Sequence, residues 1–214
     1  MDAYFVETLV DEDDALVEAR ESGRLTTMPQ AEVAPNQGKL LSLLVRMVGA
    51  TRVLEFGTLA GYSTVWLARA VGEGGQVTTL ELEQQNATVA EKNLERAGVL
   101  DRVQIMVGRA AESAQRLIDA ETQPYDFVFI DADKPSNPAY LEASLQLSRP
   151  GTVIVIDNVV RNGAVIDASS TDDRVQGVRS VLEKIAKDGR LDATSLQTVG
   201  SKGWDGFTIL RRAR

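Results

Sequence analysis

Two apolar runs in the second half of the chain set its pattern. Tyr125-Asp126-Phe127-Val128-Phe129-Ile130 closes in Asp131-Ala132-Asp133-Lys134, and Thr152-Val153-Ile154-Val155-Ile156 closes in Asp157-Asn158. Each run is short and rich in β-branched or aromatic residues, which predicts a buried strand. The alternation starts earlier. Val53-Leu54-Glu55-Phe56 predicts a strand, residues 57–61 a Gly-containing turn, and a helix runs on through Trp66 and Leu67. After the turn Gly72-Glu73-Gly74-Gly75 come a strand at 77–81 and a helix at 84–97 stopped by Gly98. A third strand at 103–107 precedes a helix at about 109–121, and a helix around 138–147 separates the two acid-ended strands. A long loop, 159–173, leads to a helix at about 175–187. Strand-like runs at 193–199 and 206–210 follow, with Gly203-Trp204-Asp205-Gly206 in a hairpin region between them. Ahead of all this, residues 2–22 are acidic with helical spacing that puts Phe5, Leu9, Leu16 and Ala19 near one face. A connector around Met28-Pro29-Gln30 leads to a helix at about 35–48, with Pro35 in its first turn and Leu40, Leu41, Leu44, Val45 and Val48 as its apolar positions.

Alternating strand and helix predicts an α/β fold, a parallel sheet covered on both faces. No repeat or linker divides the chain, so a single domain over 1–214 is expected, with 1–50 a helical N-terminal extension on an α/β core at 51–214. A chain of 214 residues with 43% hydrophobic and 25% charged residues can bury a full core. The net charge of −8 argues against broad attraction to nucleic acid or an anionic membrane. No apolar stretch is long enough for a bilayer, and the first residues lack the basic start and apolar core of a signal peptide, so a cytoplasmic protein is expected. The chain contains neither cysteine nor histidine. That excludes thiolate chemistry, Ser-His-Asp hydrolysis and the usual zinc sites. A metal site would have to be built from oxygens, which favours Mg, Mn or Ca.

Ligands of open α/β sheets bind beyond the carboxyl ends of the strands. If the two acid-ended strands are neighbours, Asp131, Asp157 and Asn158 converge on one spot that suits a hard divalent cation, with Lys134 beside it. Helix capping is the competing use of Asp131 and Asp157, pairing with Asp133 that of Lys134, and Asp133 itself is an outer group of the site or a cap. Glu55 to Ser63 reads as strand, turn and helix start. Its G-x-x-x-G spacing is not the dinucleotide G-x-G-x-x-G, but its glycines and helix N-terminus suit a close-lying negative group. Glu81 ends the next strand, where an acid can accept hydrogen bonds from ribose hydroxyls; Glu83 is the competing choice. Glu55 sits inside an apolar strand, where an unpaired charge is costly. It either hydrogen-bonds a neighbouring turn or supports a bound ligand near an ammonium group.

Together these segments resemble the cation-dependent O-methyltransferases, the family of catechol O-methyltransferase, the plant caffeoyl-CoA O-methyltransferases and their bacterial relatives. The resemblance runs from about Pro35 onward. It rests on Val53-Leu54-Glu55-Phe56-Gly57 with Gly61-Tyr62-Ser63, on Glu81, on Asp131-Ala132-Asp133-Lys134 and on Asp157-Asn158-Val159. It implies a Rossmann-like class I fold for S-adenosylmethionine (AdoMet), with seven strands, the last antiparallel. It implies that Glu81 holds the ribose, that Gly57 and Ser63 lie near the methionine end with Glu55 supporting them, and that Ala110 lies near the adenine. Asp131 is implied on both the cofactor and the cation side, Asp157 and Asn158 as further cation ligands, and Lys134 as the catalytic base. The implied reaction is methyl transfer to a phenolic oxygen of a small vicinal diol, with Mg as the first expectation and Mn or Ca as alternatives, in a homodimer. Ala31, Asn137 and Arg161 depart from patterns common among relatives, at positions where the acceptor or cofactor edge is expected. They leave open a non-catechol acceptor. An NAD-dependent oxidoreductase and a non-catalytic AdoMet-binding protein are the more distant alternatives.

Overall fold

The acid-ended strands are neighbours. The computed structural model describes residues 1–213. Its seven strands are β1 (Arg52–Phe56), β2 (Gln76–Glu81), β3 (Val103–Val107), β4 (Tyr125–Ile130), β5 (Ser148–Asp157), β6 (Leu191–Gly200) and β7 (Gly203–Arg212). They lie in the order β3-β2-β1-β4-β5-β7-β6. The first five are mutually parallel, and β7 runs antiparallel to both β5 and β6. The winding reverses between β1 and β4, which opens a crevice at the carboxyl ends of those strands.

The helices are α1 (Asp2–Leu9), α2 (Asp14–Glu21), α3 (Pro35–Met47), α4 (Tyr62–Val71), α5 (Gln84–Arg96), α6 (Ala110–Asp119), α7 (Asn137–Gln146) and α8 (Asp173–Lys187). Side chains alternate across each strand, so odd and even residues feed different cores. Val53, Phe127, Phe129, Val153 and Val155 pack with Leu41, Val45, Val65 and Leu67 on the α3–α4 side. Leu54, Phe56, Val128, Ile130, Ile154 and Ile156 pack with Leu117, Leu141, Val178 and Val181 on the other. Both faces of the central strands are thereby covered, which is why β4 and β5 read as continuous apolar runs, whereas the edge strand β6 is exposed along nearly its whole length. No helix among the described residues is long and apolar enough to cross a membrane.

Two stretches differ from the sequence expectation. Residues 2–22 form two helices. Asp13 accepts the Leu16 N–H at 3.0 Å and starts α2, so the chain breaks ahead of it. Leu16 and Ala19 are buried, but Phe5 and Leu9 face outward. The long loop after β5 contains a 3-10 turn, Arg161–Ile166, interrupted by left-handed Asn162 and Gly163.

Candidate active site

Strand register lines up the acidic residues. Phe56 pairs with Leu80 of β2 and with Ile130 of β4, and Ile130 pairs with Ile156 of β5. One residue further along, Gly57, Glu81, Asp131 and Asp157 stand at the ends of four consecutive strands. Two backbone bonds extend the register to this level, Gly57 N–H to Leu80 O (2.9 Å) and Asp131 N–H to Phe56 O (2.9 Å). Neighbouring strands lie roughly 4.8 Å apart, so Asp131 and Asp157 have to feel each other's charge. Gly57 has φ +97, and a Cβ there would lie 2.5 Å from the Asp131 carbonyl oxygen. Only glycine lets the turn after β1 pass this close to the end of β4.

Asp157 is buried, and its Oδ1 accepts the N–H of Asn158 at 2.8 Å. Burial raises its pKa, the Asp131 carboxylate raises it further, and Lys134, the Asn158 N–H and the Gln37 side chain oppose the rise. Lys134 is buried too, with Nζ 2.8 Å from Asp131 Oδ1. It pairs with Asp131 and not with Asp133. Asp133 caps the next turn by accepting the Ser136 N–H at 3.2 Å, and it accepts the Tyr140 hydroxyl. Neither Asp131 nor Asp157 caps a helix. Asn158, at φ 56, turns the chain directly after β5. Among the described residues no three histidine, cysteine or acidic side chains gather into a metal cage. The oxygen donors that the strand ends bring to this level are the carboxylates of Asp131 and Asp157, and Asn158, which carries an amide oxygen, follows Asp157 directly in the chain. That set fits a hard divalent cation: it offers only oxygen donors, and Lys134 offsets the like charges of Asp131 and Asp157 only in part.

Glu55 lies at the centre of a second polar network. Its Oε1 accepts Ser63 Oγ–H (2.6 Å), and its Oε2 accepts Thr64 Oγ1–H (2.5 Å) and Thr79 Oγ1–H (2.7 Å). Burial, as the largest cause, pushes its pKa up to about 7, with Asp131 adding to the rise and the three hydroxyls resisting it. The hydrogen bonds to the first turn of α4 account for how a glutamate survives inside β1.

Glu81 is buried and receives four N–H groups. Oε2 takes the backbone N–H of Thr58 (3.2 Å) and Leu59 (2.8 Å), and Oε1 takes the N–H of Glu83 (2.9 Å) and Asn86 Nδ2 (3.0 Å). Glu81 thus holds the turn after β1 to the start of α5. Glu83, the competing choice, is exposed at the N-cap of α5. Ala110 begins α6 and is partly buried against the second core.

The three departures from the common pattern part company. Ala31 is exposed and Arg161 three-quarters covered. Asn137 is wholly buried in the first turn of α7, and neither its amide oxygen nor its nitrogen has a hydrogen-bond partner among the described residues. It therefore lies in the interior and not on an open acceptor edge. Sequence reading missed Gln37, Thr64, Thr79 and Asn86, because each lies distant in sequence from the acid it serves or on an unremarkable helix face. It also missed Asp205, whose Oδ1 accepts the N–H groups of Val160, Arg161 and Gly206, each at 3.0 Å.

Comparison with known proteins points to one family and one fold. The family described as O-methyltransferase matches residues 6–213. Proteins named catechol O-methyltransferase from Niastella koreensis and Mycobacterium tuberculosis are each 46% identical over 209 residues, covering 98% of this chain and 95% and 93% of theirs. The structure of an O-methyltransferase from Bacillus cereus in complex with SAH is 50% identical with a TM-score of 0.94, covering 99% of this chain and 96% of that one. That of TomG from Streptomyces achromogenes, involved in tomaymycin synthesis and in complex with SAM, is 46% identical with a TM-score of 0.97, covering 100% and 96%.

Proposed function

Because the chain belongs to the O-methyltransferase family and is an AdoMet-dependent methyltransferase, we propose that it moves a methyl group to one phenolic oxygen of a small vicinal diol, a catechol, with a divalent cation. The observation that carries this reading is the convergence of Asp131, Asp157 and Lys134 at the adjoining ends of β4 and β5, with Asn158 next in line. The names of the two 46%-identical relatives support the diol.

AdoMet supplies an electrophilic methyl on its sulfonium; Glu55, Gly57, Ser63, Glu81, Ala110 and Asp131 are the residues we assign to its crevice. Glu81 does so while its carboxylate also holds the Thr58–Leu59 turn, so cofactor binding and the shape of that turn are linked. Asp131, Asp157 and Asn158 would hold the cation, which supplies Lewis-acid polarisation of the two adjacent diol oxygens. Mg²⁺ is the first assignment, with Mn²⁺ and Ca²⁺ compatible with the same oxygens. Lys134, in its free-amine form once the cation and not the ammonium offsets Asp131, is the group assigned to take the departing hydroxyl proton. Its Nζ is held beside Asp131 in a nearly covered position, which orients it and limits competing water. We also propose a homodimer. Tyr4 and Leu9 on α1 and Leu43 and Met47 on α3 leave large apolar side chains open on two helices that touch each other.

The test is methyl transfer from labelled AdoMet to a panel of catechols with Mg²⁺ and then with EDTA. Activity that EDTA removes is the expected result. Activity that survives EDTA would overturn the cation role, and binding of AdoMet without turnover of any catechol would overturn the acceptor.

A further inference from the structure

We propose that Arg161 selects acceptors that carry a carboxylate in addition to the diol. This rests on the reading above and narrows its substrate class. Arg161 lies three residues past Asn158, in the loop that leaves the end of β5. That loop is held rigidly. Val159 N–H bonds to Gly206 O at 3.0 Å, and the N–H groups of Val160 and Arg161 both bond to Asp205 Oδ1. Arg161, Asn162 and Gly163 all adopt positive φ, at 55, 53 and 84. Consecutive left-handed residues persist only where their surroundings over-determine them. Here Trp204 supplies the second restraint. Its ring lies against Gly163, where a Cβ would come within 2.8 Å of it, and its Nε1–H is fixed on Gln197 Oε1 at 2.9 Å.

This clamp fixes the backbone that carries Arg161 and leaves its guanidinium without a hydrogen bond among the described residues. Four other arginines, Arg69, Arg149, Arg174 and Arg190, each give two or more hydrogen bonds to one aspartate. The Arg161 side chain gives none among the described residues. Two acids lie near its charge: Asp205, whose Oδ2 is 3.9 Å away and whose other oxygen is taken by three backbone N–H groups, and Asp172, whose carboxylate is already bonded by the Arg174 side chain. The Arg161 side chain is nevertheless three-quarters covered, which restricts where the fork can point. A partly covered guanidinium with free N–H groups is matched by a planar carboxylate in two parallel hydrogen bonds. On a chain of net charge −8 it also offsets the general repulsion that an anionic acceptor meets.

The experiment compares protocatechuate with unsubstituted catechol as acceptors, using the enzyme with AdoMet and Mg²⁺. The wild type is expected to favour protocatechuate in kcat/KM. Arg161→Gln should lower the protocatechuate-to-catechol ratio by about tenfold or more, mainly through KM, and Arg161→Lys should recover part of it. An unchanged ratio in Arg161→Gln overturns the proposal, as does a wild type that favours catechol. If neither diol is methylated, the catechol reading falls, and Arg161 is then judged by titrating both compounds into protein loaded with S-adenosylhomocysteine. Tighter binding of protocatechuate that Arg161→Gln abolishes would sustain the carboxylate contact, and equal affinities would end it.

Discussion

Replacing Glu55 by Gln should stabilise the cofactor-free protein in alkaline solution and change it little in acid. Glu55 is fully buried, and its carboxyl is raised from 4.5 to about 7. In the unfolded chain the group titrates near its ordinary value, so between these two values the folded state binds the extra proton. The stabilising contribution is therefore complete below about pH 4.5 and is lost as pH rises through about 7. Evaluated from the two pKa values, this one group lowers folding stability by roughly 2.5 kcal/mol between pH 5 and pH 8. A glutamine keeps the shape of the protonated acid and does not titrate. Ser63, Thr64 and Thr79 can rotate their hydroxyls to suit an amide. Urea unfolding of wild type and Glu55→Gln, free of AdoMet and metal, reads the effect. The stability gap between them should widen by roughly 2.5 kcal/mol from the acidic to the alkaline buffer. Other titrating groups, Asp157 among them, are present in both proteins and largely cancel. A gap of the same size at both pH values would refute the reasoning, because Glu55 would then titrate alike in folded and unfolded chains.

Asp157→Ala should reduce Mg²⁺-dependent turnover by about a hundredfold or more, beyond what loss of an outer metal partner costs, while calorimetry shows AdoMet affinity largely retained. Glu81→Gln should weaken AdoMet binding by about tenfold, or about 1.4 kcal/mol. It should also lower stability by about 1–3 kcal/mol, since an amide nitrogen then faces N–H donors; an unaltered dissociation constant would move the ribose role elsewhere. Gly57→Ala should cost about 1–3 kcal/mol in a urea melt, from φ +97 and from the crowding of its Cβ on the Asp131 carbonyl.

The strand-helix succession and the residues closing β1, β2, β4 and β5 were legible because burial on both faces leaves continuous apolar runs, and an acid after such a run stands out. The break between α1 and α2 was not. Apolar spacing there suited one helix, and the Asp13 cap that starts α2 afresh competes through a single local hydrogen bond. Asn137 misled for another reason. A polar residue beside a site motif suggests an accessible edge, whereas the packing around α7 encloses it. Asp205 read as a hairpin residue and proves to clamp the loop after β5, a role that depends on β7 lying beside β5.

The sequence by itself determined the chemical inventory. Without cysteine or histidine, acids, amides and lysine are left to make a site, and it set these at the ends of strands. It also determined that those strands would be buried, since their hydrophobic content is a local property. Only the tertiary structure decided which ends meet. The order β2-β1-β4-β5 aligns Glu81, Gly57, Asp131 and Asp157 at one level, though they are widely separated along the chain. Their protonation followed from the same step. Desolvation and Coulomb interaction depend on what surrounds a carboxyl in space, so the raised values of Glu55 and Asp157 come into being only when the sheet closes around them.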